Sequence, residues 1–254
     1  MDPAKYVYHF GPGGAESGSH AKELLGGKGA NIAEMTNLGI PVPPGFTITT
    51  AVCAAYMEAG GKYPDGLHDE VAEHLRRLEE ETGKTFGGGD SPLLLSVRSG
   101  ARVSMPGMMD TVLNLGLNPA TVASLTRLTN NERFALDSYR RLIQMYGNVV
   151  MGVDSEPFER ALAARRKEHG AAADHQLPAG TLRSLIDEFH AIVRKAAGRD
   201  FPESADEQLW GAIGAVFHSW NSPRAVSYRR MSGYPDHWGT AVNVQAMVFG
   251  NMGD

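Results

Sequence analysis

Residues 96–111 read Ser96-Val97-Arg98-Ser99-Gly100-Ala101-Arg102-Val103-Ser104-Met105-Pro106-Gly107-Met108-Met109-Asp110-Thr111. The apolar residues 93–97 predict a buried strand, which would place Arg98 directly after its end. Strand ends line ligand crevices in α/β folds, and a guanidinium group presents a planar set of donors that matches phosphate oxygens. The segment therefore predicts an anion site at Arg98, with an arginine paired to a structural carboxylate as the alternative. For Arg102 both interpretations stay open.

A glycine-rich turn lies upstream, where Gly26-Gly27-Lys28-Gly29 precedes a helix predicted over residues 29–38. The turn is not a Walker A loop, because Lys28 is followed by glycine rather than by serine or threonine. A helix N-terminus favours an anion and disfavours a cation, so stability alone does not explain Lys28. A bound phosphate would explain it, and a solvent-facing lysine on a glycine turn is the alternative.

Two further segments have the composition to contact a planar ligand. Residues 105–109 place flexible, polarisable methionines around a Pro-Gly hinge, although a hydrophobic plug over the core has the same composition. Residues 240–249 alternate apolar and polar side chains, which predicts a half-buried strand. Its polar face, with Gln245 and Met247, could meet an adenine edge and ring, and an ordinary sheet strand is the alternative. Asp110 is predicted to cap a helix beginning at Thr111 rather than to bind a metal.

The order of the predicted elements indicates an α/β fold with a mixed sheet and a helical insertion. In the first part of the chain, strands over residues 6–10, 46–49 and 93–97 alternate with helices over residues 29–38, 51–59 and 67–81. Residues 119–198 read as consecutive helices, the last of them closed by Gly198. The final third returns to the mixed pattern, with one helix starting at Ser222-Pro223. We therefore predict an α/β subdomain from residues 1–118 and 199–254, interrupted by a helical subdomain over residues 119–198.

The composition excludes several classes of protein. The chain has 254 residues, with 42% hydrophobic and 21% charged residues, which is typical of a globular protein with a sizeable core. The single Cys53 excludes an internal disulfide framework and is predicted to be a core residue. The net charge of −5 argues against nucleic-acid binding, so an anion site would be a local basic pocket. The sequence has no metal-binding histidine spacing, no membrane-length apolar run and no signal-peptide pattern, so a cytoplasmic location is predicted.

Several segments taken together resemble the N-terminal nucleotide-binding domain of the pyruvate, phosphate dikinase family. They are residues 24–31, 40–47, 96–111, 137–146 and 238–245, and the resemblance extends over essentially the whole chain. The run Met-Pro-Gly-Met-Met-Asp at residues 105–110 is specific to this family. Relatives such as phosphoenolpyruvate synthase share the lysine turn and a Val-Arg-Ser element but not that run.

The resemblance implies an ATP-grasp fold and a phosphotransferase. The family converts ATP, phosphate and pyruvate into AMP, pyrophosphate and phosphoenolpyruvate, through a histidine on a separate swivelling domain. The residues implied at the site are Lys28 and Arg98 as catalytic contacts to the ATP phosphates, Gly26, Gly27 and Met105 near the nucleotide, and Gln245, Met247 and Val248 along the adenine edge. The two cations would act by positioning and by neutralising charge.

The resemblance also places the magnesium ligands, the phosphorylated histidine and the pyruvate-binding barrel beyond residue 254. We therefore expect an incomplete ATP-grasp domain that is not catalytic by itself and that exposes residues 240–249 as a sheet edge. The expected cofactors are ATP and Mg²⁺, and the expected partners are phosphate, the swivelling domain and the barrel of a homodimeric parent enzyme. The alternatives are a dikinase-type phosphotransferase with another acceptor and a non-catalytic interaction module.

Overall fold

The computed structural model of the protein describes residues 5–16 and 21–250, which form α-helices, 3-10 helices and β-strands. The α-helices are α1 (Ala21–Asn37), α2 (Thr50–Glu58), α3 (Leu67–Thr82), α4 (Pro119–Thr129), α5 (Glu132–Val149), α6 (Ser155–Glu168), α7 (Ala179–Ala197), α8 (Ala205–Ser219) and α9 (Pro223–Ser232). The strands are β1 (Val7–Gly11), β2 (Gly14–Ala15), β3 (Gly45–Ile48), β4 (Thr85–Phe86), β5 (Pro92–Leu93), β6 (Leu95–Gly100), β7 (Thr111–Leu115) and β8 (Ala241–Ala246). Short 3-10 helices span Asp174–Gln176 and Asp236–Trp238. Among the described helices, none combines the length and the apolar character that crossing a bilayer requires.

The chain divides into two compact units. The first consists of the described parts of Met1–Gly83, Leu95–Thr111 and Ile213–Val248, and the second of Lys84–Leu94, Val112–Ala212 and the described start of Phe249–Asp254. The predicted insertion over residues 119–198 lies within the second unit, which also takes in residues 84–94, 112–118 and 199–212. The division into domains at residues 118 and 198 stays a prediction.

The second unit is largely helical, and its helices begin and end where local capping favours it. Asn118 caps α4, because its side chain accepts a hydrogen bond from the backbone N–H of Thr121 at 2.9 Å. Gly198 ends α7 in the left-handed conformation, as the sequence predicts. The core between α6 and α7 includes Phe158 and Phe189, whose ring centroids lie 4.9 Å apart edge to face.

The first unit contains a sheet in which the strand order is β2-β1-β3-β8-β6, and each of these pairs is antiparallel. Strand β8 lies between β3 and β6, so Asn243 is opposite Thr47 on one side and Arg98 on the other. All six residues of β8 are buried. The predictions of a half-buried strand and of an exposed edge at residues 240–249 are therefore wrong, because distant segments pair with both sides of β8 and helices cover its faces.

Helix α1 covers the polar face of this sheet. It begins at Ala21 rather than at the predicted residue 29, because the chain is already helical before the glycine-rich turn and bends at Gly26. Gly29 permits the close packing, since a Cβ atom there would lie 3.1 Å from Asn243 Oδ1. On the opposite face, α3 places the His74 ring 5.9 Å from the ring of Phe46. Cys53 is buried in α2 as predicted, and burial raises the pKa of its thiol to about 11.

Two local predictions near the opening segment are wrong. Arg98 does not follow the strand but lies inside it, because β6 continues to pair with β8 through Gly100. Asp110 caps no helix, because Thr111 begins strand β7. Burial raises the pKa of the Asp110 carboxyl, and the positive charge of Arg224 opposes this shift. In contrast, α9 starts at Pro223 as predicted, and Ser222 caps it by accepting a hydrogen bond from the N–H of Ala225 at 3.2 Å.

Candidate functional site

The glycine-rich turn is pressed against the end of β6. Gly26 has φ +66° and ψ 178°, and a Cβ atom at this position would lie 1.6 Å from the carbonyl oxygen of Gly100. The next residue, Gly27, donates its backbone N–H to the carbonyl of Ala101 at 2.9 Å. Only glycine fits at residue 26, because it combines a left-handed φ with a contact that no side chain allows. This close approach carries Lys28 to the end of the strand that bears Arg98.

Lys28 and Arg98 form a pair of like charges. Partial burial and, secondarily, the positive charge of Arg98 lower the pKa of the Lys28 amine. Arg98 donates from Nη2 to Oε1 of Gln245, and Gln245 in turn donates from Nε2 to the carbonyl of Pro43 at 2.9 Å. The Nε of Arg98 is buried without a hydrogen-bond partner in the described part of the chain. The packing of α1 against β6 therefore brings the two cations together, and within residues 5–16 and 21–250 neither side chain forms an ion pair with a carboxylate.

A cleft of about 440 Å³ lies between α1, the segment after it and the polar face of the sheet. It is lined by Lys28, Asn31, Ile32, Met35, Ile40, Pro41, Val42, Pro43, Arg98, Asn243 and Gln245. Asn243 accepts a hydrogen bond from Thr47 at 2.9 Å, and its Nδ2 lacks a partner within residues 5–16 and 21–250. This smaller cleft therefore combines apolar walls with two cations and three amides.

A larger cleft of about 800 Å³ shares Lys28 and Asn31 with the smaller one. It is lined by Lys22, Gly27, Lys28, Asn31, Ser99, Ala101, Arg102, Val103, Ser104, Met105, Pro106, Gly107, Met109, Thr111 and Tyr234. Its charged side chains are Lys22, Lys28 and Arg102, and no carboxylate is among these described lining residues. Such a cleft suits a polyanion, because an anion would offset the repulsion between the cations.

The structure brings some of the predicted site residues together and leaves others apart. Lys28, Arg98 and Gln245 line the smaller cleft, whereas Gly27, Lys28 and Met105 line the larger one. Gly26 is buried within the glycine-rich turn. Met247 and Val248 follow the end of β8 and are absent from the described lining of both clefts, and Val248 is 73% exposed. Their role along an adenine edge stays a prediction.

Sequence reasoning missed two amide side chains of the smaller cleft. Asn31 follows Lys28 by three residues in α1, and this spacing places both side chains on the same helix face. Asn243 lies on the polar face of β8, two residues before Gln245. Both periodicities were visible in the sequence, but only the packing of α1 on the sheet shows that these two amides face one cleft.

The described residues do not fit a magnesium site. Mg²⁺ prefers carboxylate and water oxygens, and neither cleft has a carboxylate among its described lining residues. Nor do three or more His, Cys, Asp or Glu side chains cluster anywhere in residues 5–16 and 21–250 in a way that could hold a metal. Magnesium binding at residues beyond this chain stays a prediction.

Comparison with known proteins identifies a matching family. The family model described as "Pyruvate phosphate dikinase, AMP/ATP-binding domain" matches residues 22–81 and 61–253. The chain is 55% identical over 251 residues to the pyruvate, phosphate dikinase of Rhizobium meliloti (strain 1021), covering 99% of this chain and 28% of that protein.

Two other relatives match the chain with similar identity and coverage. The chain is 51% identical over 252 residues to the enzyme of Clostridium symbiosum, covering 99% of this chain and 28% of that protein. It is 51% identical over 248 residues to pyruvate, phosphate dikinase 2 of Zea mays, covering 98% and 28% respectively. The chain thus spans little more than a quarter of the length of these relatives. On this evidence the chain belongs to the pyruvate phosphate dikinase family and corresponds to its AMP/ATP-binding domain.

Proposed function

We propose that the chain is the ATP-binding portion of a pyruvate, phosphate dikinase and that Lys28 and Arg98 bind the ATP phosphates. One observation carries the assignment of these residues. Lys28 and Arg98, two cations on neighbouring elements, line one cleft that has no carboxylate among its described lining residues, and partial burial and, secondarily, the charge of Arg98 lower the pKa of Lys28. Holding like charges together costs free energy, and a polyphosphate would offset that cost. The family match supports the same ligand.

The two side chains contribute different chemistry. The Lys28 amine is a compact charge on a flexible stem, whereas the Arg98 guanidinium is a planar fork that can bind two phosphate oxygens. Gln245 orients that fork, because its Oε1 accepts from Nη2 while its own Nε2 is tied to the backbone of Pro43. Together they position the polyphosphate and neutralise its charge during phosphoryl transfer.

The adenine ring would lie along residues 245–248, with Met105 near the nucleotide. Ile32, Met35 and Val42 line the smaller cleft beside Gln245, and apolar walls with a few polar groups are typical of sites for planar ligands. An ATP-grasp architecture would account for a nucleotide held between a sheet and a glycine-rich turn.

The remaining parts of the proposal concern the longer protein. Conversion of ATP, phosphate and pyruvate to AMP, pyrophosphate and phosphoenolpyruvate would use a swivelling phosphohistidine domain and a pyruvate-binding barrel outside this chain. Magnesium binding, a homodimeric parent enzyme and a cytoplasmic location are part of the same proposal. The support for them is the family membership and the identity to named dikinases.

Isothermal titration calorimetry with Mg-ATP tests the nucleotide site on this chain. We expect a Kd below about 1 mM for the wild type. Lys28→Gln and Arg98→Gln should each weaken binding by about tenfold or more, because each removes a charge-assisted hydrogen bond. Lys195→Gln is the matched control, since Lys195 is an exposed residue of α7. Wild-type affinity in both site variants, with unchanged circular dichroism, would contradict the assignment.

A further inference from the structure

Arg102 is a second arginine at the site, and its charge has no carboxylate partner in the described structure. It lines the larger cleft with Lys22 and Lys28, and none of the ion pairs found within residues 5–16 and 21–250 involves it. Its Nε is buried and lacks a hydrogen-bond partner in the same residues. A guanidinium group that neither pairs with a carboxylate nor extends fully into water is costly to retain for stability alone.

The Arg102 guanidinium rests instead on an aromatic ring. Its central carbon lies 5.3 Å from the centre of the Trp238 ring, within the range of a cation–π interaction. Trp238 is itself stacked on Tyr234, with ring centroids 5.9 Å apart and planes inclined by 24°. Tyr234 also lines the larger cleft. The aromatic pair therefore restricts the guanidinium while leaving its N–H edges able to bind an acceptor.

The segment that carries this aromatic pair is fixed by hydrogen bonds from a buried arginine. Arg229 is 0% exposed and donates from Nε and Nη2 to one carboxylate oxygen of Asp236, at 2.9 and 2.7 Å. Trp220 donates from Nε1 to the carbonyl of Asp236 at 2.8 Å. Since Asp236 begins the 3-10 helix that ends at Trp238, these bonds hold the Trp238 ring in place.

We propose that Arg102, oriented by Trp238, binds a phosphate group in the larger cleft. This inference rests on the proposed nucleotide site and extends it, because it assigns a binding role to Arg102 and a positioning role to Trp238. A guanidinium fixed in one plane loses little freedom when it forms a bidentate phosphate contact. The phosphate belongs either to a nucleotide polyphosphate or to free inorganic phosphate, and both present the same oxygens.

Calorimetric titration of the 254-residue chain with two probes, inorganic tripolyphosphate and orthophosphate, separates these sources. Arg102→Gln should weaken binding of at least one probe by about tenfold, and Arg102→Lys should recover only part of this loss because the planar fork is missing. A loss confined to tripolyphosphate identifies a polyphosphate site, and a loss that includes orthophosphate identifies a site for free phosphate. If both probes bind Arg102→Gln within about twofold of the wild type, or bind the wild type not at all, the proposal is overturned.

Tryptophan fluorescence distinguishes positioning from a purely structural role of Trp238. The bound anion changes the charge above the Trp238 indole, so the probe should change the wild-type emission. That change should disappear in Trp238→Phe, although Trp210 and Trp220 still emit, and Trp238→Phe should weaken probe binding severalfold. An unchanged emission response in the folded Trp238→Phe variant would refute the positioning role.

Comparing Lys28→Gln with Arg102→Gln distinguishes a failure of the nucleotide-site proposal from a failure of the Arg102 proposal. If Lys28→Gln weakens Mg-ATP binding while Arg102→Gln binds tripolyphosphate and orthophosphate as the wild type does, the nucleotide site stands and the Arg102 inference fails. If Arg102→Gln weakens probe binding while Lys28→Gln and Arg98→Gln bind Mg-ATP normally, the Arg102 site stands and the assignment of the phosphate contacts to Lys28 and Arg98 fails.

Discussion

Replacing Gly26 with alanine should destabilise the first unit strongly. The backbone of Gly26, at φ +66° and ψ 178°, lies in a region that residues with a side chain avoid, at a cost of ~1–3 kcal/mol. In addition, the new Cβ atom would lie 1.6 Å from the oxygen and 2.5 Å from the carbon of the Gly100 carbonyl. Relieving that overlap requires a backbone shift of α1 or β6, which typically costs a further ~1–3 kcal/mol.

The sum is ~2–6 kcal/mol, a large fraction of the ~5–15 kcal/mol that stabilises a typical protein. Urea unfolding followed by circular dichroism measures it. With a slope of ~2 kcal/mol per molar urea, the midpoint of Gly26→Ala should fall by ~1–3 M. The same variant should lose Mg-ATP affinity, because the shift moves Lys28 relative to Arg98.

Two neighbouring variants separate the causes. Gly27→Ala should be neutral or slightly stabilising, since Gly27 has no positive φ and its new Cβ would lie 3.4 Å from the nearest atom outside the local helix. Gly39→Ala should show the cost of positive φ alone, because Gly39 has φ +76° with open space around the added atom. If Gly26→Ala unfolds at the same urea concentration as Gly39→Ala, the close approach to Gly100 adds nothing to the loss of unfolding free energy, and the reasoning is refuted.

Three further variants test the electrostatics and the buried polar contacts. Arg98→Gln should raise the pKa of Lys28 towards its usual range by removing a neighbouring cation, and NMR titration of labelled lysine should show no shift if the two side chains do not interact. Burial lowers the pKa of His9, so the unfolded chain binds the proton more tightly and the free energy of unfolding should fall as the pH drops below ~6.5. His9→Gln should flatten that fall in urea midpoints, and an unchanged slope would exclude His9 as its source. Thr47→Val should cost ~1–3 kcal/mol in thermal unfolding, because it leaves the buried Asn243 Oδ1 without its donor; a smaller loss would mean that Asn243 finds another partner.

Much of the local structure could be predicted because its causes are local. The stop of α7 at Gly198 and the cap of α9 at Ser222 depend only on the residues within one helical turn. The glycines and cations around Lys28 and Arg98 are likewise visible within short segments, and their composition predicts an anion site, which stays a prediction. The family membership of the chain could also be predicted from the sequence, because the run at residues 105–110 is specific to that family.

The placement of the strands could not be predicted, because it depends on distant partners. The alternation in β8 predicts one exposed face, but pairing with β3 and β6, segments some 200 and 150 residues away in the chain, buries all six residues. Likewise, pairing with β8 extends β6 past the apolar run and brings Arg98 inside the strand. Hydrogen bonds between strands thus override the boundaries that apolar patterning suggests.

By itself, the sequence predicted the kind of site, since two arginines, a lysine and a glycine-rich turn together favour an anion ligand. The tertiary structure alone decided how these groups are arranged. The contact of Gly26 with Gly100 brings Lys28 to Arg98, and the ring of Trp238 supports Arg102 from the far end of the chain. The physical reason is that charge and conformational preference belong to individual residues. Close approach, burial and orientation exist only between residues that the fold brings into contact.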